Sequence, residues 1–580
     1  MTLTPETRAG EAGHHPLVAL WLLLVALLLT ACSGGDATVS PTPVPIPTPV
    51  PPTPTYLPEG ATTGARIRAR GYLIVGVRYD LRPFGYVTGG GEVAGFGVDV
   101  GRELARRWLG DEQAVQFRQV RSDTAIERLQ AGDVDIVVAA LTHTKEREAG
   151  ADFSLPYFSD GQALLVRAAD AGGSGGPVSL AGRPVGVVAW EEAQYALWGA
   201  VEFTPTLQTY DRFDEAVAAM DRGEVDVVAD MRHRLFWGAA LLPETVVVGQ
   251  YTAAPLAIAF PQNDPFFADL VNLTFQEMVS DGAYADLYGR WFAPEAPPAV
   301  ERWPGDETVS LDDAPFLADA PDTIGAIRAR GRLAVALVSG RAPFAYADTT
   351  GVSVGYEVSL ARLLAGRWLG DSAAVDFTPT TVEEGQEMVR TGQADLLVGG
   401  LVHTRAAELT LDFSLTTYVA GEGLLVRAGT PITDITALSG QQAAVVEGSG
   451  SREALLAAAQ EAGVSLIVLP RPTLEAAIAL LEEGQVIAVV GDRVDLLGRT
   501  YATPELDVHP LRLTCTPLAL GLPPGDSAFR DLVNLTLQAL KADGQFDALY
   551  VTWFADMPPA LEVWPGASYR VLQLDIATAP

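Results

Sequence analysis

The stretch Leu141–Phe158, LTHTKEREAGADFSLPYF, returns as Leu401–Tyr418, LVHTRAAELTLDFSLTTY, at an offset of 260 residues. Solenoids and propellers repeat every 20–50 residues or so. A period this long therefore means that a whole domain has been duplicated, and that each copy must bury a core of its own. Other segments keep the register: Phe84 faces Phe344 in the alignment, and Trp108 faces Trp368. The copies are not identical, since Ala407 stands where the first copy has Arg147.

Within each copy, helical and strand periodicities alternate. GFGVDVGRELARRWLG and GYEVSLARLLAGRWLG carry apolar residues at helical spacing. LQAGDVDIVVAAL and VRTGQADLLVGGL are turns that feed short, continuously apolar strands. Such alternation predicts α/β layers with mostly parallel sheets, whose ligand sites lie beyond the carboxyl ends of the strands. Midway through each copy, GQALLVRA and GEGLLVRA lead into a fresh βα series, which predicts a second lobe. The helices LVNLTFQEMVSDGAYADLYGRWF and LVNLTLQALKADGQFDALYVTWF are expected to return to the first lobe.

The amino-terminal run PLVALWLLLVALLLTA (16–31) is shorter than the ~20 residues of a spanning helix, and Cys32 follows it directly. LTAC resembles a bacterial lipobox, which implies removal of residues 1–31 and lipid attachment at Cys32. Residues 32–63 read as a linker, because SPTPVPIPTPVPPTPT favours extended polyproline II. Cys515 is the one other cysteine, so the mature chain can form no intrachain disulfide.

The net charge of -33 disfavours nucleic acid, whose recognition needs clustered Lys and Arg. Six scattered histidines give no metal-ligand spacing, and no Ser/His/Asp or Cys/His set stands at catalytic spacing. Neither a metal nor a cofactor is expected, nor an enzyme.

The opening strand with Pro83-Phe84, GFGVDVGRELA, LTHTKER…DFSLPY and the Trp291-Phe292 ending together resemble family 3 of the bacterial extracellular solute-binding proteins. That resemblance implies two tandem type II periplasmic-binding clamshells. The first spans 64–299, with its second lobe at about 164–253, and the second spans 323–560, with its second lobe at about 424–514. Residues 300–322 connect them and 561–580 form a tail. It further implies a lipid-anchored extracytoplasmic receptor that binds an amino acid or similar solute and delivers it to the permease of an ABC importer. A sensor module, or a dehydratase-like enzyme on the same fold, is the alternative.

The resemblance also nominates residues. Arg147 falls where the family holds the ligand α-carboxylate, and its rigid fork suits two-point recognition. Thr142 and the Ala139–Ala140 backbone, with Gly400 as its counterpart, match groups that bond carboxylate and amine. Asp230 and Asp492, at the carboxyl ends of apolar strands, match the acid that receives the α-ammonium. Phe84 and Phe344 are expected as apolar cleft walls. In the second lobe the first copy has Trp190, Glu191 and Glu192 at the anion site; an acid facing the cleft there would favour a basic amino acid. The second copy keeps Ser449 and Ser451 at a helix start but has Ala407, which leaves Arg405 as the arginine to reach in.

Overall fold

The computed structural model describes residues 62–173, 180, 182–188, 206–293, 296–305, 307–311, 321–500, 503–554, 561 and 565. The export signal, Cys32, the proline-rich linker and the Trp190–Glu192 segment lie outside the described residues.

Among the described residues four five-stranded sheets form, two per repeat. The first runs in the order Val115–Gln119, Leu73–Val77, Ile136–Val137, Ala259–Phe260, Asp152–Phe153. Leu73–Val77 pairs in parallel with both its neighbours, and the last two strands are antiparallel additions. The second sheet has the order Thr206–Tyr210, Pro184–Val188, Val227–Met231, Gln162–Arg167, Thr245–Val248. The other repeat reproduces both orders around Leu333–Val338 and Gln442–Val446. Central strands such as Leu73–Val77 are buried along their whole length, which is why they read as unbroken apolar runs.

Two strands cross between the lobes of each repeat: Phe158–Asp160 pairs antiparallel with Ala254–Leu256, and Tyr418–Ala420 with Thr516–Leu518. At the end of the outgoing crossover stands Gly161, with φ 151°. A β-carbon there would lie 2.1 Å from the Thr252 carbonyl oxygen, so the two crossing strands approach closely only because the residue is glycine. Helices Pro265–Ser280 and Ala283–Phe292 pack Phe267, Leu270, Tyr288 and Phe292 against Leu73, Val75 and Phe96. They thus close the first lobe with late sequence. Trp108 Nε1 donates to Thr274 Oγ1 at 2.9 Å, and Trp368 Nε1 to Thr536 Oγ1 at 2.8 Å. The repeated tryptophans are therefore helix-to-helix fasteners.

The two first lobes meet through their edge strands. Arg530 pairs with Asp152 at 2.8 Å and with Asp412 at 3.6 Å. Ser527 Oγ donates to Asp152 Oδ2 at 2.8 Å, and Asn263 and Ser527 exchange two further bonds. Trp303 of the connector stacks on His403 at 4.1 Å. The Pro304 carbonyl accepts the Arg405 N–H, and the Pro565 carbonyl accepts the Lys145 N–H. Each repeat is thus bonded by a proline that follows the other one, Pro304 after the first and Pro565 after the second.

One guanidinium cannot neutralise all the acids buried here. Burial lifts the Asp412 carboxyl from 3.8 to about 7, with Arg530 opposing and Glu408 reinforcing the shift. Asp269 is raised too, by burial and by Glu408 and Asp412. A carboxyl raised on folding favours the folded state fully below the unfolded value near 3.8, and that contribution is lost as pH climbs through about 7. Asp412→Asn is therefore expected to gain about 1–3 kcal/mol relative to the native chain at pH 8. At pH 4 the difference should vanish. Urea unfolding at the two pH values checks this, and the absence of a gain at pH 8 over pH 4 would refute it.

Candidate functional site

In the first repeat a cleft of about 870 Å³ opens between the lobes. Its walls come from the segments that follow parallel strands, as the topology requires. Arg78–Arg82 follows Leu73–Val77, Ala140 and Thr142 follow Ile136–Val137, and Asp211–Asp214 follows Thr206–Tyr210. Met231, His233, Arg234 and Trp237 come from the end of Val227–Met231 and the helix Arg232–Leu241.

Most charges on these walls are internally paired. Arg78 Nε donates to Asp80 Oδ1 at 2.7 Å, which holds the Asp80 carboxyl below the usual range. Arg212 similarly grips Asp214. His233 Nδ1 lies 2.6 Å from Asp160 Oδ2, and both side chains are buried. The Arg82 guanidinium lies over the Tyr86 ring at 3.7 Å and reaches the Trp237 ring of the other lobe at 5.2 Å.

Among the nominated residues, Ala140 and Thr142 line this cleft. Ala140 has φ 51°, a conformation alanine adopts only at a cost of about 1 kcal/mol or more. It is held there by its N–H, which donates to Tyr157 Oη at 3.1 Å. Arg147 lies behind Thr142, half-buried, with Nη1 donating to the Thr142 carbonyl at 2.6 Å. Burial pushes its guanidinium below the usual arginine range, against the charge of the neighbouring Glu146, which raises it. Asp230 is 1 % exposed; its Oδ1 accepts the Met231 N–H at 2.6 Å and Arg234 Nη1 at 3.2 Å. It sits directly behind two residues of the opposite wall.

Two expectations need correction. Phe84 and Phe344 are fully buried and form no part of a cleft wall. Phe84 packs edge-on against Phe96, Phe158 and His233, and Phe344 against Tyr356 and Tyr418, because the crossover strands and the last helix meet there. Arg405 does not reach into a cleft either. Its backbone and Nη1 bond the connector at Pro304 and Glu307, which draws the side chain to the interface between repeats.

In the second repeat, Ser449 Oγ donates to the Val446 carbonyl at 2.7 Å and contacts Ser451 Oγ at 3.1 Å. Ser451 in turn bonds the half-buried Glu422. Asp492 is half-buried, accepts the Val494 N–H at 2.8 Å, and is raised by burial. The Gly400 N–H donates to Glu357 Oε2 at 2.8 Å, and its carbonyl accepts Arg341 Nη1 at 2.8 Å. Glu357 and Arg341 escaped the sequence reading. The repeat register carried the signal, since they replace Gly97 and Leu81.

Paired α/β lobes, antiparallel crossovers and a cleft at the strand ends define a hinged solute-binding clamshell, present here twice. The profile of the bacterial extracellular solute-binding proteins, family 3, matches residues 73–294 and again 333–556, and the chain belongs to that family. It is 31% identical over 231 residues to the ABC transporter glutamine-binding protein GlnH of Bacillus subtilis, covering 40% of this chain and 84% of the relative. It is 39% identical over 148 residues to the glutamine-binding protein of Geobacillus stearothermophilus, of which 55% is covered. A solved structure of an ancestral cationic amino acid solute-binding protein is 30% identical, with a TM-score of 0.36 over 40% of this chain and all of that one. Among the described residues no helix is long and apolar enough to cross a membrane.

Proposed function

We propose that the first repeat is the amino-acid receptor of an ABC importer, held outside the cytoplasm by a lipid on Cys32. The observation that supports this most directly is Arg147, a half-buried guanidinium next to the cleft residue Thr142, pushed down by burial more than the neighbouring Glu146 holds it up. A buried cation in that position favours an anionic group delivered by a ligand. Asp230 stands behind the opposite wall paired with Arg234, so a bound zwitterion would meet that ion pair from the second lobe and Arg147 from the first. Closure around such a solute would create the shape that a permease recognises. The named relatives are glutamine-binding proteins, which supports trying amino acids first as ligands.

A thermal-shift screen of the whole protein against the common amino acids tests this reading. A ligand at 100 times its dissociation constant should stabilise the first repeat by ~2.7 kcal/mol. Absence of a shift with every amino acid at millimolar concentration would refute it.

A further inference from the structure

The copies differ most where their clefts should be most alike. In the first repeat, the loop after Ile136–Val137 presents Ala140 to the cleft, beside Leu81. The residue facing this loop from the neighbouring helix is Gly97, whose β-carbon would lie 2.4 Å from the Val138 carbonyl oxygen. No side chain fits there. In the second repeat that position is Glu357, buried completely on the first turn of helix Tyr356–Leu369. The loop makes room by becoming Gly399-Gly400, with φ 135° and 70°. Both of its N–H groups donate to Glu357 Oε2, at 2.5 and 2.8 Å. Its carbonyl at Gly400 is taken by Arg341, which stands where Leu81 lines the first cleft.

The opposite lobe is consistent with this. Arg341 draws down both Glu357 and, from the second lobe, Asp492, against the burial that raises each. Asp495 pushes Asp492 the other way, and Glu422 is raised by burial and by these two acids while Ser451 bonds it. The arginine that would face a ligand carboxylate is replaced by Ala407, whose neighbour Arg405 is committed to the connector.

We propose that Arg341 is a resident substitute for a ligand ammonium: it occupies the Gly400 carbonyl from the position where Leu81 lines the first cleft, while Glu357 holds the loop's amides from the buried side, so the second repeat takes no amino acid and amino-acid binding belongs to the first. The statement about the first cleft rests on the proposed function; the one about Arg341 does not.

Hydrogen exchange read by mass spectrometry on the full chain tests both parts. With millimolar arginine, lysine, glutamate and glutamine in turn, protection is expected in 79–87, 139–142 and 230–237, and none in 339–347, 399–402 and 492–499. Protection of the second set overturns the inference, whereas no protection anywhere overturns the proposed function instead. The ligand-free arm compares the native chain with Arg341→Leu. Loss of a charged donor from the Gly400 carbonyl, and of the cation that favours ionised Glu357, should speed exchange of 396–402 about tenfold, with Arg341→Lys in between. The first repeat, unchanged, serves as the folding control. Equal exchange of 396–402 in all three proteins would overturn the proposal without any ligand.

Discussion

Arg530→Met is expected to cost about 3 kcal/mol at pH 8, the largest stability change of any single side chain in the interface between the repeats. Removing the guanidinium leaves Asp152, whose side chain is 3 % exposed, facing Asp412 without a cation between them. The Arg530 side chain keeps 19 % exposure toward the cavity it shares with His143, His403 and Trp303, so water can enter and the cost stays near the low end for a broken buried pair. At pH 5 the loss should fall to about half, because Asp412, which titrates near 7, is then mostly neutral. Urea unfolding of the full chain at the two pH values gives the comparison. A loss below about 1 kcal/mol at pH 8 would show that the Arg530 ion pairs do not hold the repeats together. The first repeat has Ala268 where the second has Arg530, so this fastener exists once per chain.

Arg147→Ala should weaken amino-acid binding by about 100-fold, since truncating one partner of a desolvated charge pair costs 2–5 kcal/mol or so. Arg147→Lys should recover only part of this, because an ammonium cannot bond the Thr142 carbonyl and a carboxylate in one plane. Titration calorimetry with whichever amino acid the thermal screen selects measures both. A dissociation constant within threefold of the native value for Arg147→Ala would remove the residue from the site.

The residues readable from sequence were those whose role is local or repeated. Continuous apolar runs such as LIVGV announced central strands because burial on both faces leaves no polar position. The duplicated Trp108 and Trp368 marked the register of the copies, and the structure shows that each fastens two helices. Aromatic residues near the cleft were harder. Phe84 and Phe344 follow a strand end, as cleft residues do, yet the crossover strands and closing helices arrive from more than 60 positions away and cover them.

The sequence alone determined that one fold is built twice and which family it joins, because a repeated pattern of apolar spacing permits one solution for both copies. Tertiary structure decided which charges are available. Arg405 and Arg341 look equally free in the chain, but one is drawn to the connector and the other to the Gly400 carbonyl. The strength of a charge depends on how far it is removed from water and on what it meets there, and both are set by segments distant in sequence.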